Sequence, residues 1–289
     1  MKPNYSLSSI GIMLLAMSLI PLGDVGGKLL AEQGVAPVFV GWSRFLIGFM
    51  LLLPLSGLKL VELPAMFNWR ILLRGACITG SIWCILTAIS TEPLAHVFAA
   101  LFIAPVLSYF LSAILLKEQI TPSRTFFLLI GFCGVLIVIR PGVNMSIGTF
   151  FALFTSVFYT GYLLCNKWLV HYYRPRFMLI SQLAFGSIAL APFGIPHIPA
   201  EINWSFSGLI LLSAFGSATG NLLMVEGNRR LPANIISPLI YTQLLFATFY
   251  GITIFNDWPD TWAVFGLAIT ILSGFSTWFL VRRENHEQS

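Results

Sequence analysis

Residues 1–142 and 143–289 read as one five-segment unit written twice. Offset by 138, the chain places Pro37 on Pro175, Ser43 on Ser181, Gly48 on Gly186 and Ala95 on Ala233. Gly11 meets Gly148 at 137, and at 139 Lys28 meets Lys167 and Glu118 meets Asp257. Short loop insertions produce such a drift. Each copy holds an odd number of apolar segments, so if every segment crosses a membrane the second copy lies upside down relative to the first. Inverted repeats of this kind put a shared site near the bilayer midplane, between halves that rock against each other.

Composition carries the membrane reading independently. The chain is 57% hydrophobic and 9% charged, where a soluble domain carries about 25% charged residues. Apolar runs fall at roughly 7–30, 37–56, 71–90, 94–116, 125–140, 147–169, 177–195, 206–226, 233–255 and 261–281. Each is near the roughly 20 residues that a helix needs to cross the hydrocarbon. Pro54, Pro192 and Pro196 are expected to end helices early. The expected fold is therefore an all-α membrane protein with ten transmembrane helices in two inverted five-helix repeats.

Orientation follows from the basic residues. With a cytoplasmic N-terminus, the inner side collects Lys2, Lys59, Arg70, Arg74, Lys117, Arg124, Lys167, Arg174, Arg176, Arg229, Arg230, Arg282 and Arg283, thirteen in all, against Lys28 and Arg140 outside. That bias puts both termini in the cytoplasm. Scattered one to three per turn, these charges form no nucleic-acid patch. The first run resembles a signal peptide in position, but its repeat partner at 146–169 argues against cleavage. Cys77, Cys84, Cys133 and Cys165 all lie in apolar runs without CxxC spacing, which speaks against disulfides and a thiolate metal site. No cofactor is expected.

Several short motifs carry a resemblance. Trp42-Ser43-Arg44-Phe45 stands in the second run, Lys117-Glu118 follows the fourth with an echo at Asn256-Asp257, and Arg140-Pro141-Gly142 joins the halves. In this order, and with the repeat, the chain resembles the drug/metabolite transporter superfamily, EamA type, over nearly its whole length. Ser237-Pro238-Leu239-Ile240-Tyr241-Thr242 is similar to members that carry S-adenosylmethionine, riboflavin, organic anions or opine-type metallophores. The resemblance implies a central cavity ringed by the first four helices of each half, with the fifth of each bracing the outside.

Polar groups inside apolar helices are the site candidates, because a buried charge usually faces a cavity or a partner. Arg44 lies seven residues into the second run, about 10 Å below the surface at about 1.5 Å per residue. Asp24 reaches a similar depth on the first run, and Lys28, one turn on, is placed to compete for its carboxylate. Two readings stay open: an anchor for a substrate anion, or an ion pair locking two helices. At the repeat-equivalent places stand Tyr162 for Asp24 and Gln182 for Arg44; with Asn166 they are expected to form a neutral hydrogen-bonding cluster on the cytoplasmic side.

Asn221, Glu226, Tyr241 and Gln243 add polar groups in the second half. Glu226 is either a proton carrier, as Asp24 also could be, or an interfacial carboxylate held ionised by Arg229 and Arg230; the interfacial reading is favoured. Gln243 aligns with Pro105, which together with Pro21 and Pro238 is expected to kink its helix and free a carbonyl. Trp42, Trp83, Tyr159 and Tyr241 either stack on a planar substrate or simply pack.

His96, His171, His197 and His286 lie outside the centres of the runs, and neither HExxH nor GxSxG occurs. Gly216-Ser217-Ala218-Thr219-Gly220 reads as close helix packing through small residues. An intramembrane enzyme is therefore the weakest reading, and a lipid-carrier flippase is the main alternative. The expectation is an inner-membrane, multi-pass secondary carrier of a small polar or amphiphilic metabolite, a monomer or weak homodimer in the lipid bilayer. It has no ATP-binding loop, so a gradient, such as one of H+, or an exchange counter-substrate drives it.

Overall fold

The computed structural model describes residues 7–117, 122–140, 146–200, 204–231 and 233–287. Glu118, Pro141, Gly142 and the boundary between residues 142 and 143 fall outside them. The described residues are helical, with no strand among them: α1 (Leu7–Glu32), α2 (Pro37–Ser56), α3 (Trp69–Ile89), α4 (Leu94–Leu101), α5 (Ile103–Leu115), α6 (Pro122–Ile139), α7 (Ile147–Leu169), α8 (Pro175–Gly194), α9 (Trp204–Arg230), α10 (Ala233–Phe255) and α11 (Thr261–Glu287). Among the described residues, seven spans are long and apolar enough to cross a membrane, α4 and α5 counting together as Leu94–Leu115. Shorter apolar stretches lie at Thr125–Ile139, Leu239–Phe255 and Thr261–Gly274.

Local chemistry explains the edges. Pro37 and Pro175 sit in the first turns of α2 and α8, where a missing N–H costs nothing and the fixed φ suits the helix. Asn68 caps α3 by accepting from the Arg70 N–H, and Ser146 caps α7 by accepting from that of Thr149. The expectation that Pro54 and Pro192 end helices early is corrected: α2 and α8 each run two residues past their proline. At the α4–α5 break, Phe102 follows Leu101, the residue whose carbonyl Pro105 leaves without an i+4 donor. Pro21 lies inside an unbroken α1, and Pro238 inside α10, its side chain outside the description.

Packing repeats the symmetry seen in the sequence. The main partners are α1 with α9, α6 with α11, α3 with α7 and α2 with α8. Exchange of the halves turns α1–α9 into α7–α3 and maps each remaining pair onto itself. Single contacts obey the same exchange. A Cβ on Gly48 would meet Leu183 at 3.3 Å, and one on Gly186 would meet Phe45 at 2.5 Å; offset by 138, Gly48 becomes Gly186 and Phe45 becomes Leu183. Likewise Gly23 abuts Gly216 as Gly161 abuts Cys77. Gly216 and Gly220 bring the α9 backbone against Gly23 and Ile20 of α1, the role expected of their small-residue stretch.

Charged loops tie the ends of the bundle. Lys117 and Asn256, 139 residues apart, share a left-handed backbone, with φ of 57° and 56°. Arg174 pairs with Glu62 at 2.6 Å and Arg140 with Asp260. The Arg174 hydrogen bond, helped by the Lys59 backbone N–H, holds the Glu62 carboxyl below its usual range. The Ala263 backbone N–H and then Arg140 do the same for Asp260.

Candidate functional site

A cavity of about 100 Å³ opens between α1, α2, α3, α4, α5, α7, α9 and α10. A second, of about 40 Å³, shares five of its wall residues: Arg44, Ile78, Ile82, Ser217 and Asn221. Most wall residues fall in pairs that the repeat interchanges. Ile78 corresponds to Ser217, Ile82 to Asn221 and Ile85 to Met224 in the 139 register; Phe102 corresponds to Ile240 and Pro105 to Gln243 in the 138 register. Arg44 and Gln182, also related by 138, both line the smaller cavity. The cavity therefore sits where the two copies meet, and both copies contribute apolar and polar groups to its wall.

Asp24 and Arg44 form one buried unit on the wall. Arg44 Nη1 donates to Asp24 Oδ1 at 2.6 Å, and the two side chains are 4% and 3% exposed. Arg44 Nε is buried with no hydrogen-bond partner. Lys28 does not compete for Asp24, which corrects the expectation of a shared carboxylate. One turn farther along α1, its ammonium pairs instead with Asp257 at 2.7 Å and lies 4.4 Å from the centre of the Phe255 ring.

Tyr162, Asn166 and Gln182 do come together, but around a guanidinium that the sequence reading assigned to a cytoplasmic turn. Arg74, on the second turn of α3, is 3% exposed. It donates through Nε to Asn166 Oδ1, through Nη1 to the Met178 carbonyl at 2.7 Å, and through Nη2 to Gln182 Oε1 at 2.8 Å and Tyr162 Oη at 3.1 Å. The Tyr162 ring also faces it at 4.8 Å. The cluster expected to be neutral is cationic, because all its acceptors are uncharged. Gln182 is itself on the wall of the smaller cavity, so Arg74 stands one side chain behind it; from the larger cavity the route runs through two, the wall residue Tyr159 and the Tyr162 ring stacked on it at 5.5 Å.

Other candidates separate. Asn221 lines both cavities and bonds the Ser217 carbonyl at 2.8 Å; Gln243 and Pro105 line the larger one. Tyr241 stands behind the wall, stacked on Phe102 at 4.9 Å. Trp42 and Trp83 lie away from the walls: Trp42 packs against Phe39 at 6.0 Å and beside Gly194, while Trp83 is 40% exposed and stacks on Phe193. Their positions on α2 and α3 turn them outward from the face that carries Arg44 and Ile82. Glu226 is on neither wall; Arg230, Arg176 and Arg229 surround it at 3.1–3.3 Å.

The profile of the EamA-like transporter family matches residues 7–140 and again 146–279. An S-adenosylmethionine uptake transporter of Rickettsia bellii is 24% identical over 99% of this chain and 97% of its own length. A riboflavin transporter of Brucella anthropi is 23% identical over 83% and 89%. The chain spans about half the length of an uncharacterized membrane protein of Saccharomyces cerevisiae, 26% identical over 64% of this chain. A solved crystal structure shares the fold, with a TM-score of 0.66 at 14% identity over 96% of this chain and 98% of its own. With both copies of its apolar unit matched, the chain belongs to the EamA-like transporter family, a multi-pass membrane protein of a family of transporters.

Proposed function

We infer that this protein is a secondary carrier for a small polar or amphiphilic metabolite, working by alternating access and driven by a gradient or by exchange. One observation carries the reading: most of the cavity wall is made of residue pairs that the repeat interchanges, as expected of a site shared by two rocking halves. In this reading the seven long spans and the three shorter apolar stretches make ten crossings, and residues 1–142 and 143–289 are the two inverted halves. The pairing of α1 with α9 as of α7 with α3 supports that division. Both termini are cytoplasmic and the membrane is the inner one. Moving Arg74 from loop to interior leaves twelve basic residues of the thirteen inside, against two outside.

Asp24, Arg44, Tyr159, Gln182, Asn221 and Gln243 form the substrate site in this reading, with Asp24 the candidate for proton coupling. The named relatives carry S-adenosylmethionine and riboflavin, molecules of the expected size and polarity, which makes both useful first probes. Proteoliposomes loaded with unlabelled riboflavin or S-adenosylmethionine, and diluted into labelled compound, should show saturable counterflow for a substrate. The panel extends to nucleosides, amino acids and carboxylates. Linear, non-saturating flux would replace the carrier with a channel, and no flux across the whole panel would overturn the reading.

A further inference from the structure

The two ends of the cavity carry different charge, although the repeat makes them counterparts. Exchange of the halves takes Asp24 to Tyr162, Arg44 to Gln182 and, in the 139 register fixed by the Gly23–Gly216 and Gly161–Cys77 contacts, Arg74 to Ser213. Each end thus holds one arginine, from a different helix. At the first end Asp24 balances Arg44, while Ser213 is fully buried with its hydroxyl unpartnered. At the second, no carboxylate among the described residues pairs with Arg74. Its four acceptors are an amide, a second amide, a phenol and a carbonyl.

Hydrogen bonds to neutral groups satisfy the donors of a guanidinium but leave its charge. An arginine stays protonated in proteins, and a buried charge without a countercharge costs several kcal/mol. The interior around the cavity therefore has a net charge of +1, from Asp24, Arg44 and Arg74 together. Meanwhile Arg44 Nε–H, buried and without a partner, belongs to a wall residue. Phe102 and Tyr159 add flat apolar surface to the larger cavity.

We propose that the cavity takes singly charged anions, a carboxylate or sulfonate on a flat apolar body, seated on Arg44 Nε–H and attracted by the unbalanced charge of Arg74. This rests on the carrier reading for the site itself and names its substrate class. A monoanion makes the interior neutral, whereas a cation would raise it to +2.

The test uses full-length protein in detergent and three molecules of nearly equal shape: benzoate, benzamide and benzylamine, an anion, a neutral amide and a cation. Binding is read from the rise in melting temperature with concentration. The wild type should bind benzoate at least about tenfold more tightly than either of the others, about 1.4 kcal/mol. Asn166→Asp sets a carboxylate against Arg74 without a change of shape, and Arg74→Gln removes the charge. Both should erase the preference, although the first completes the network and the second dismantles it; if Arg74→Gln does not fold, Asn166→Asp decides. No preference for benzoate in the wild type, or a preference that survives in Asn166→Asp, overturns the proposal. Counterflow of the same three compounds separates it from the carrier reading. Benzoate binding without flux leaves the anion site standing and sinks the carrier, while saturable flux that favours benzamide or benzylamine does the reverse.

Discussion

Removing both partners of the Asp24–Arg44 pair should harm the fold no more than removing either one alone. The pair is 2.6 Å apart and at most 4% exposed, so either charge left alone stays in a poorly solvated interior. Charges about 4 Å apart at an effective dielectric constant of about 20 attract by about 4 kcal/mol, and breaking a buried pair by deleting one side costs about 3–5 kcal/mol. We expect Asp24→Asn and Arg44→Gln to lose about 3 kcal/mol each. The double mutant should lose about 3 kcal/mol in all, since its two amides can hydrogen-bond and neither is charged, so the coupling is about 3 kcal/mol. Arg44→Gln also copies the residue at the counterpart position, Gln182, so the substitution suits a helix in this setting. The assay is reversible unfolding in detergent for all four proteins. A double mutant as unstable as the sum of the singles would refute the argument, since it would show that the two charges do not compensate each other.

Two further expectations concern packing and topology. Gly23→Ala should lose about 1–3 kcal/mol, because its Cβ would fall 2.8 Å from the Ser217 nitrogen and 2.9 Å from the Ser213 carbonyl oxygen, backbone atoms that cannot swing aside. Gly11→Ala has nothing within 4 Å and should gain about 0.5–1 kcal/mol from helix propensity; equal melting temperatures for the two would dismiss backbone contact between α1 and α9. A reporter active only in the cytoplasm, fused after Ser289, should be active, and a periplasmic reporter there should be silent. The reverse pattern would invert the orientation.

The helices were legible because hydrophobic length is a strong signal: the runs read at 37–56, 147–169 and 233–255 coincide with α2, α7 and α10. The repeat was legible because packing holds equivalent positions small: Gly48 lies close to Leu183, and Gly186 close to Phe45, the counterpart of Leu183. Arg74 was not. It lies three residues inside an apolar run, one turn after Arg70, which is half-buried and covers the Trp168 ring at 4.5 Å, and near a helix end sequence alone does not say which arginine turns inward. What decides it is a set of acceptors 88 to 108 residues away. A signal was present in the repeat, as Arg74 maps onto a serine, but an unequal pair at one register position gains meaning only when the neighbours are known. Which way Trp42 and Trp83 turn was not legible for a related reason: in mostly apolar helices the tryptophan itself gives no clue to whether its face lines a cavity or packs elsewhere.

The two arginines also differ in how they are tied to the halves. Arg44 takes its countercharge from α1, twenty residues earlier in the same half, so the ion pair can travel as a unit when one half moves against the other. Among the described residues, every hydrogen bond of the Arg74 side chain runs from α3 to α7 or α8, across the boundary between the halves. In a carrier whose halves rock, those bonds are the ones under load, and a guanidinium that lets go of neutral acceptors needs another acceptor at once. An anion in the cavity supplies one, since on the Gln182 side a single side chain separates it from Arg74. Under the proposed mechanism the bound anion thus does more than balance charge: it lowers the cost of breaking the contacts that hold the halves in this arrangement, so the loaded carrier should change access faster than the empty one.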